Sequence, residues 1–125
     1  MYIEEIIWPA QYGIYKVCQF TDGTISYLRF SPRTDFHKDI VRSFANEAHV
    51  GYKLILGPDH NHIPQFPDDS LMKLVGAGYC NFDLEDKTLS FGGNSHDYKI
   101  GINAKHLADL QKQFPEWKFN YSRLI

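Results

Sequence analysis

Only two of the 125 residues are cysteine, Cys18 and Cys80. That is too few for a disulfide framework and suits a reducing compartment. No stretch approaches the 18 or so apolar residues a helix needs to cross a bilayer. The opening MYIEEIIWPAQ has no basic run before an apolar one, and Glu4 and Glu5 interrupt its apolar positions, so no signal peptide is expected. Positive charge is not in surplus either: 13 Lys and Arg stand against 15 Asp and Glu, for a net charge of -2. A broad basic footprint for nucleic acid is excluded, and any anion chemistry must come from a few local groups. Internal repeats and low-complexity tracts are missing. These absences together predict a cytoplasmic protein, a monomer, with neither nucleic acid nor membrane as partner.

What the chain does have is a core. Apolar residues make up 43%, including 9 Phe, 8 Tyr and 2 Trp, which excludes global disorder. The length suits one domain spanning 1–125. Tyr12 to Phe20 is rich in aromatic and β-branched residues and reads as a strand. Asp22-Gly23 is a turn signal, and Thr24 to Phe30 resumes as a second strand, giving a hairpin. The period then changes. Phe36, Ile40, Val41, Phe44, Ala45 and Ala48 fall at helical spacing and define one face. Gly51 to Gly57 is a short strand candidate, and Pro58 to Ser70, with three prolines, reads as a loop. Leu71 to Asp83 and Lys87 to Ser95 read as strands. Asn103 can cap a last helix with Ala104, Leu107, Leu110 and Phe114 on one face and Pro115 as its stop. Trp117 to Tyr121 closes the chain as a strand, and Trp8 and Trp117 are expected to cover the sheet. The order β-β-α-β-β-β-α-β predicts an α+β fold, a mixed sheet with two main helices packed on it.

His37 stands at the front of the first helix, in RTDFHKDIVRSF. A helix start exposes N–H groups without intrahelical partners and carries the positive end of the backbone dipole, which makes it an anion site. The same field disfavours the imidazolium, so the ring stays neutral near pH 7 with one lone pair free. A neutral imidazole beside an oxyanion pocket is what a phosphoryl acceptor or a general base for water requires. Lys16 and Arg29 lie on the preceding strands. If they face the same pocket, they supply the charge stabilisation that phosphoryl transfer depends on. By position alone, the commoner reading is a solvent-facing first-turn histidine with two ordinary strand charges beside it.

Other features are weaker. Asp59-His60-Asn61-His62 pairs two histidines at i, i+2, which on a strand would share a face and could take zinc, but no further ligand stands at a recognisable spacing. His49 suits the C-terminal end of the first helix dipole. His96 could support a site at Ser95 or stand exposed, and His106 has no assigned role. No Gly-x-Ser-x-Gly elbow accompanies Ser95. Gly92-Gly93 permits a bulge or a close backbone approach. Cys18 and Cys80 read as small buried hydrophobes.

An ordered set of segments gives the chain a resemblance. Arg29 precedes Phe36-His37-Lys38-Asp39-Ile40, an aromatic-His-x-Asp-Ile segment opening a helix. Gly13-Ile14-Tyr15-Lys16 lies upstream; Gly76-Ala77-Gly78, Gly93 to Tyr98, and Phe114-Pro115-Glu116-Trp117 follow downstream. The set resembles the Janus/Ocnus family, the phosphohistidine phosphatases, over nearly the whole chain. The resemblance implies a phosphatase needing no metal or other cofactor, acting on a phosphorylated protein or a small phosphoramidate. It makes His37 the catalytic residue, as nucleophile or general base. Phosphate would be held by Lys16, Arg29, the turn Asn94-Ser95-His96, and the backbone N–H groups of His37 and Lys38. The chain departs from the family in three places. Tyr79 stands where the family has arginine. Lys99 follows Tyr98 where the family has glycine, and could replace the lost charge. An insertion-like loop around 51–67 could shape or cover the pocket. A phosphate-binding or phosphopeptide-binding module on the same fold, and a metal-binding or partner-binding protein using the 58–70 loop, are the alternatives.

Overall fold

The computed structural model describes residues 2–122. Strands β1 (Gly13–Thr21) and β2 (Ser26–Pro32) form the expected antiparallel hairpin. Its turn is held by Asp22, whose carboxylate accepts the N–H groups of Thr24 and Ile25 at 2.9 and 2.8 Å, an Asx-type closure. Helix α1 (His37–Glu47) follows, then β3 (Lys53–Leu56), β4 (His62–Gln65), β5 (Lys73–Asp83) and β6 (Thr88–Gly92). The chain continues through β7 (Asn94–Ser95), β8 (Ile100–Gly101), α2 (Ala104–Gln113) and β9 (Lys118–Tyr121). The main sheet runs β2-β1-β5-β6-β9, antiparallel except for β9, which pairs parallel with β6. A mixed sheet carrying two helices is an α+β fold. Among the described residues no helix is long and apolar enough to cross a membrane.

Strand alternation decides what each face meets. Val17, Leu28, Cys80, Phe82, Leu89 and Phe91 pack with Leu107 and Leu110 of α2. Cys18, Phe20, Tyr27 and Ala77 pack with Ile40, Val41, Phe44 and Ala45 of α1. The Phe20 and Phe44 rings stack at 4.2 Å between centroids. Trp8 stacks on Trp117 at 4.4 Å, and Trp117 in turn lies on Phe82 at 5.5 Å, covering the sheet at one end. Both cysteines are free and fully enclosed.

Several expectations need correction. Phe36 is not part of the buried helix face. It is the residue before the helix, 55% exposed, and His37 takes an inward position instead. The 58–70 stretch is not all loop. His62–Gln65 pairs with Lys53–Leu56, so the stretch around 51–67 is a β-hairpin. Its proline, Pro64, is tolerated because a two-stranded ribbon leaves each strand an unpaired edge. The strand expected up to Ser95 ends at Gly92, where Gly93 turns to φ +73. A Cβ there would lie 2.9 Å from the Tyr79 ring, so both backbone and space call for glycine. At the end of α1, His49 occupies the left-handed position (φ 55) and its N–H donates to the Asn46 carbonyl, closing the helix itself.

His106 also has a role that its sequence position conceals. Gln19, fully buried, donates from its amide to the Asn103 carbonyl at 3.0 Å and to Nδ1 of His106 at 3.1 Å. Its carbonyl oxygen accepts the Asn103 N–H at 2.8 Å. Nε2 of His106 faces the Phe20 carbonyl at 2.9 Å and so carries the hydrogen. Asn103 meanwhile caps α2, accepting the His106 N–H at 3.1 Å. This closed network ties α2 to the centre of the sheet.

Two outcomes follow. His106→Leu should cost about 1–3 kcal/mol in urea unfolding, because it strands one Gln19 amide hydrogen and the Phe20 carbonyl, and Gln19→Leu should cost a similar amount by stranding the Asn103 N–H and His106 Nδ1. Burial lowers the His106 pKa from its ordinary 6.5, against the opposing pull of the Phe20 carbonyl. The unfolded chain therefore binds more protons than the native one. Stability is full above pH 6.5 and should fall as pH drops from there through the native pKa. Thermal melts should show a shallower acid decline when His106 is replaced.

Candidate functional site

The start of α1 is built by its own backbone. Phe36 is extended (φ -110, ψ 152), and its N–H donates to the Asp39 carboxylate at 3.0 Å. Asp39 also adds negative charge to the first turn, where the dipole favours it. The next residue, His37, is 6% exposed, and Nε2 lies 2.9 Å from the carbonyl oxygen of Gly78 on β5. A carbonyl can only accept, so Nε2 carries the hydrogen and the lone pair is on Nδ1. Asn61 Oδ1 is the sole buried side-chain polar atom without a partner among the described residues. No described donor reaches His37 Nδ1, so that atom must be open to solvent. Burial is the main cause that lowers the His37 pKa; the Gly78 carbonyl and Asp97 pull upward, and Lys16 pushes further down. At pH 7 the ring is neutral.

Gly78 permits this arrangement. A Cβ on it would lie 2.4 Å from the Gly92 carbonyl oxygen, a clash the β5–β6 pairing could not absorb. The Tyr79 ring meets the imidazole edge-on at 5.9 Å. In front of His37 is a hollow of about 380 Å³. Lys16, Lys38, Asn94 and His96 line it. The Lys16 and Lys38 ammonium groups lie 5.1 and 5.3 Å from the Phe36 ring centroid, which holds both near the mouth. Lys16 also donates to the Asp35 carbonyl. The first-turn N–H groups of His37 and Lys38 have no partner inside the helix.

Arg29 is not in this hollow. Register sets it opposite Cys18, under the last turns of α1. Nε and Nη2 grip the Glu47 carboxylate at 2.9 and 2.8 Å. Its remaining hydrogens go to the carbonyls of Glu4, Glu5 and Leu28. All five donors are engaged, and the guanidinium lies 5.0 Å from the Phe44 ring centroid. Glu47 is ten residues beyond His37, roughly 15 Å along the helix. Arg29 is therefore a structural clamp joining β2, the N-terminal segment and α1.

Ser95 is also turned away. It is buried, and its hydroxyl oxygen accepts the Tyr98 N–H at 3.3 Å, while its carbonyl accepts the Lys99 N–H at 2.8 Å. It shapes the turn that presents Asn94 and His96. Lys99 lines a neighbouring hollow with Ser95 and Gly101 that shares Asn94 and His96 with the one at His37, and it is not among the residues lining the latter. His60 sits in the hairpin turn at φ 60 while His62 lies on β4, and among the described residues no three His, Cys, Asp or Glu side chains gather as a ligand set.

Some lining residues carried no local signal. Asp59 and Asn61 come from the β3–β4 turn, and Asp97 from the turn after β7. Asp59 meets His96 at 3.2 Å, an exposed pair that links the two turns across the mouth. The hollow is thus charge-mixed, with ammonium groups and carboxylates on its rim. No protein-family model matches the chain, and no curated protein matches it.

The division between Arg29 and Lys16 is open to test. Arg29→Leu should lower unfolding stability by about 2 kcal/mol, through the stranded carbonyls and Glu47, and leave the phosphate titration of the His37 and Lys38 amide signals unchanged. Lys16→Ala should do the reverse, weakening phosphate with a stability change within about 0.5 kcal/mol.

Proposed function

We propose that this chain is a metal-independent phosphohistidine-phosphatase-like enzyme that hydrolyses the P–N bond of phosphohistidine or a small phosphoramidate, with His37 as nucleophile. The observation that supports the reading most is the His37 ring itself. It is neutral, held by Nε2–H on the Gly78 carbonyl with no described donor at Nδ1, and it lines a hollow that also holds Lys16 and Lys38. The ordered resemblance to the Janus/Ocnus segments points the same way.

The chemistry balances as follows. The substrate enters as its zwitterion, a phosphoryl dianion on a protonated amine or on an imidazole protonated at its other ring nitrogen. The Nδ1 lone pair forms a bond to phosphorus while the P–N electron pair departs with the substrate nitrogen, which leaves as a neutral amine or imidazole. The His37 ring is then a cation, and its Nε2–H bond to the Gly78 carbonyl stabilises it. Water attacks phosphorus, the ring recovers its lone pair as a neutral leaving group, and dihydrogen phosphate is released. Lys16, Lys38 and the first-turn N–H groups offset charge on the phosphoryl oxygens throughout.

A second reading has its own support. Arg29 is committed to Glu47, Tyr79 carries no charge, and Asp59 and Asp97 reduce the positive field. A phosphate-binding module without turnover would tolerate all three.

Hydrolysis of phosphoramidate separates the two. Wild type should turn over and trap an acid-labile phosphoryl label on the protein; His37→Ala and His37→Gln should lose at least about 10³ in rate. Gln keeps a donor for Gly78, which controls for folding. Equal turnover in all three, or none in wild type, defeats the enzyme reading. The active ring is the neutral one, and its pKa lies below 6.5. The rate constant for His37 phosphorylation should therefore decline below pH 6.5 as the ring takes up a proton, and His37 itself sets no upper limb.

A further inference from the structure

Asp97 borders two hollows. One is the polar hollow at His37; the other, of about 310 Å³, is walled largely by apolar side chains. Val41 of α1, Leu74 of β5 and Ile100 of β8 meet Ile55, Ile63 and Phe66 of the β3–β4 hairpin and its exit. Ile55 and Ile63 are direct cross-strand partners, so the ribbon presents them together. The hairpin is pinned in place at two points: the Tyr98 hydroxyl donates to the Pro64 carbonyl at 2.7 Å, and Asp59 meets His96. The hairpin therefore builds a wall of both hollows.

We infer that the apolar hollow receives the organic substituent of the substrate. The substrate class is then an N-phosphorylated amine or imidazole bearing a compact apolar group, with its phosphoryl end at His37. Asp97, which borders both hollows, accepts an N–H of the protonated amine or imidazole. This rests on the phosphoramidate reading above and adds what that reading leaves open, the identity of the leaving group. Size limits the group: 310 Å³ is at the small end of ligand sites, enough for a phenyl or branched alkyl group and too little for a folded partner. Charge sets the direction. Lys16 and Lys38 line only the phosphoryl side. Asp97 is in neither ion pair found among the described residues, Arg29–Glu47 and His96–Asp59, which leaves its half-buried carboxylate for a cation. The one lysine in the apolar hollow, Lys73, donates to the Asp68 carbonyl at 2.7 Å. A zwitterion laid across Asp97 matches this polarity at both ends.

The test compares phosphoramidate, which has no substituent, with N-phosphoryl phenethylamine. Wild type should favour the second by about tenfold in kcat/KM, the scale of a filled apolar pocket. Ile55→Trp, which fills the hollow from the hairpin, and Ile100→Trp, which fills it from the opposite wall, should bring that ratio near one; melting curves check that each is folded. A wild-type ratio near one, or a ratio untouched by both folded variants, overturns the inference. If wild type turns over neither compound, the phosphatase reading has failed and binding decides the pocket separately. Phenethylammonium should then give saturable shifts of the Leu74 and Ile100 amide signals that weaken in Ile55→Trp and in Asp97→Asn; no saturable shift in wild type overturns the pocket as well.

Discussion

The hydrogen bond from His37 Nε2 to the Gly78 carbonyl is the constraint on which the site depends. It crosses from the first residue of α1 to the middle of the sheet, and it does three things at once. It sets the tautomer, so that Nδ1 is the free nitrogen. It fixes the ring against Tyr79 and under the Asn94–His96 turn. It also fixes where the helix begins, because the ring can reach β5 only if Phe36 stays outside as the extended residue before the first turn. The glycine at 78 is what lets β5 pass close enough to β6 for this geometry.

His106 shows what the same chemistry looks like when it is closed. Both histidines are buried, both have pKa values lowered first by burial, and both donate Nε2–H to a backbone carbonyl. They differ at Nδ1. In His106 the Gln19 amide fills it, and the residue is a fixture of the core. In His37 nothing in the described chain fills it. That atom is left to solvent, so the one ring is closed into the core and the other keeps an unpaired nitrogen.

Much of the architecture could be read directly from periodicity. The β1–β2 hairpin, both helices, the long β5 and the closing strand all carry strong patterns with turn or cap residues at their ends, Asp22-Gly23 and Asn103 among them. The His62–Gln65 strand was hidden because Pro64 and its polar flanks read as loop, and only pairing with Lys53–Leu56 makes it a strand. That His37 and Lys16 line one hollow was raised by local position, which did not show that the His37 ring is buried. The place of Arg29 was not legible, because its fate depends on a carboxylate 18 residues away and on carbonyls of Glu4 and Glu5, which no local pattern reveals. Asp59 and Asp97 were hidden for the same reason: each matters only through what the fold brings opposite it.

The two arginine-sized questions, Arg29 and Tyr79, have one physical answer. A guanidinium with all five hydrogens committed contributes nothing to an anion, and a phenol contributes no charge, so the hollow at His37 is left with two compact ammonium groups. Ammonium is a point charge that sets no bidentate geometry, unlike guanidinium. A site built this way discriminates poorly by phosphoryl geometry alone. On the proposed reading, selectivity comes from groups that meet the rest of the substrate, and the 51–67 hairpin and the Asp97 turn both reach the hollow. On the proposed phosphoramidate reading, the scarcity of fixed positive charge and the hairpin wall are complementary: the first leaves the phosphoryl end weakly read, and the second would read the other end.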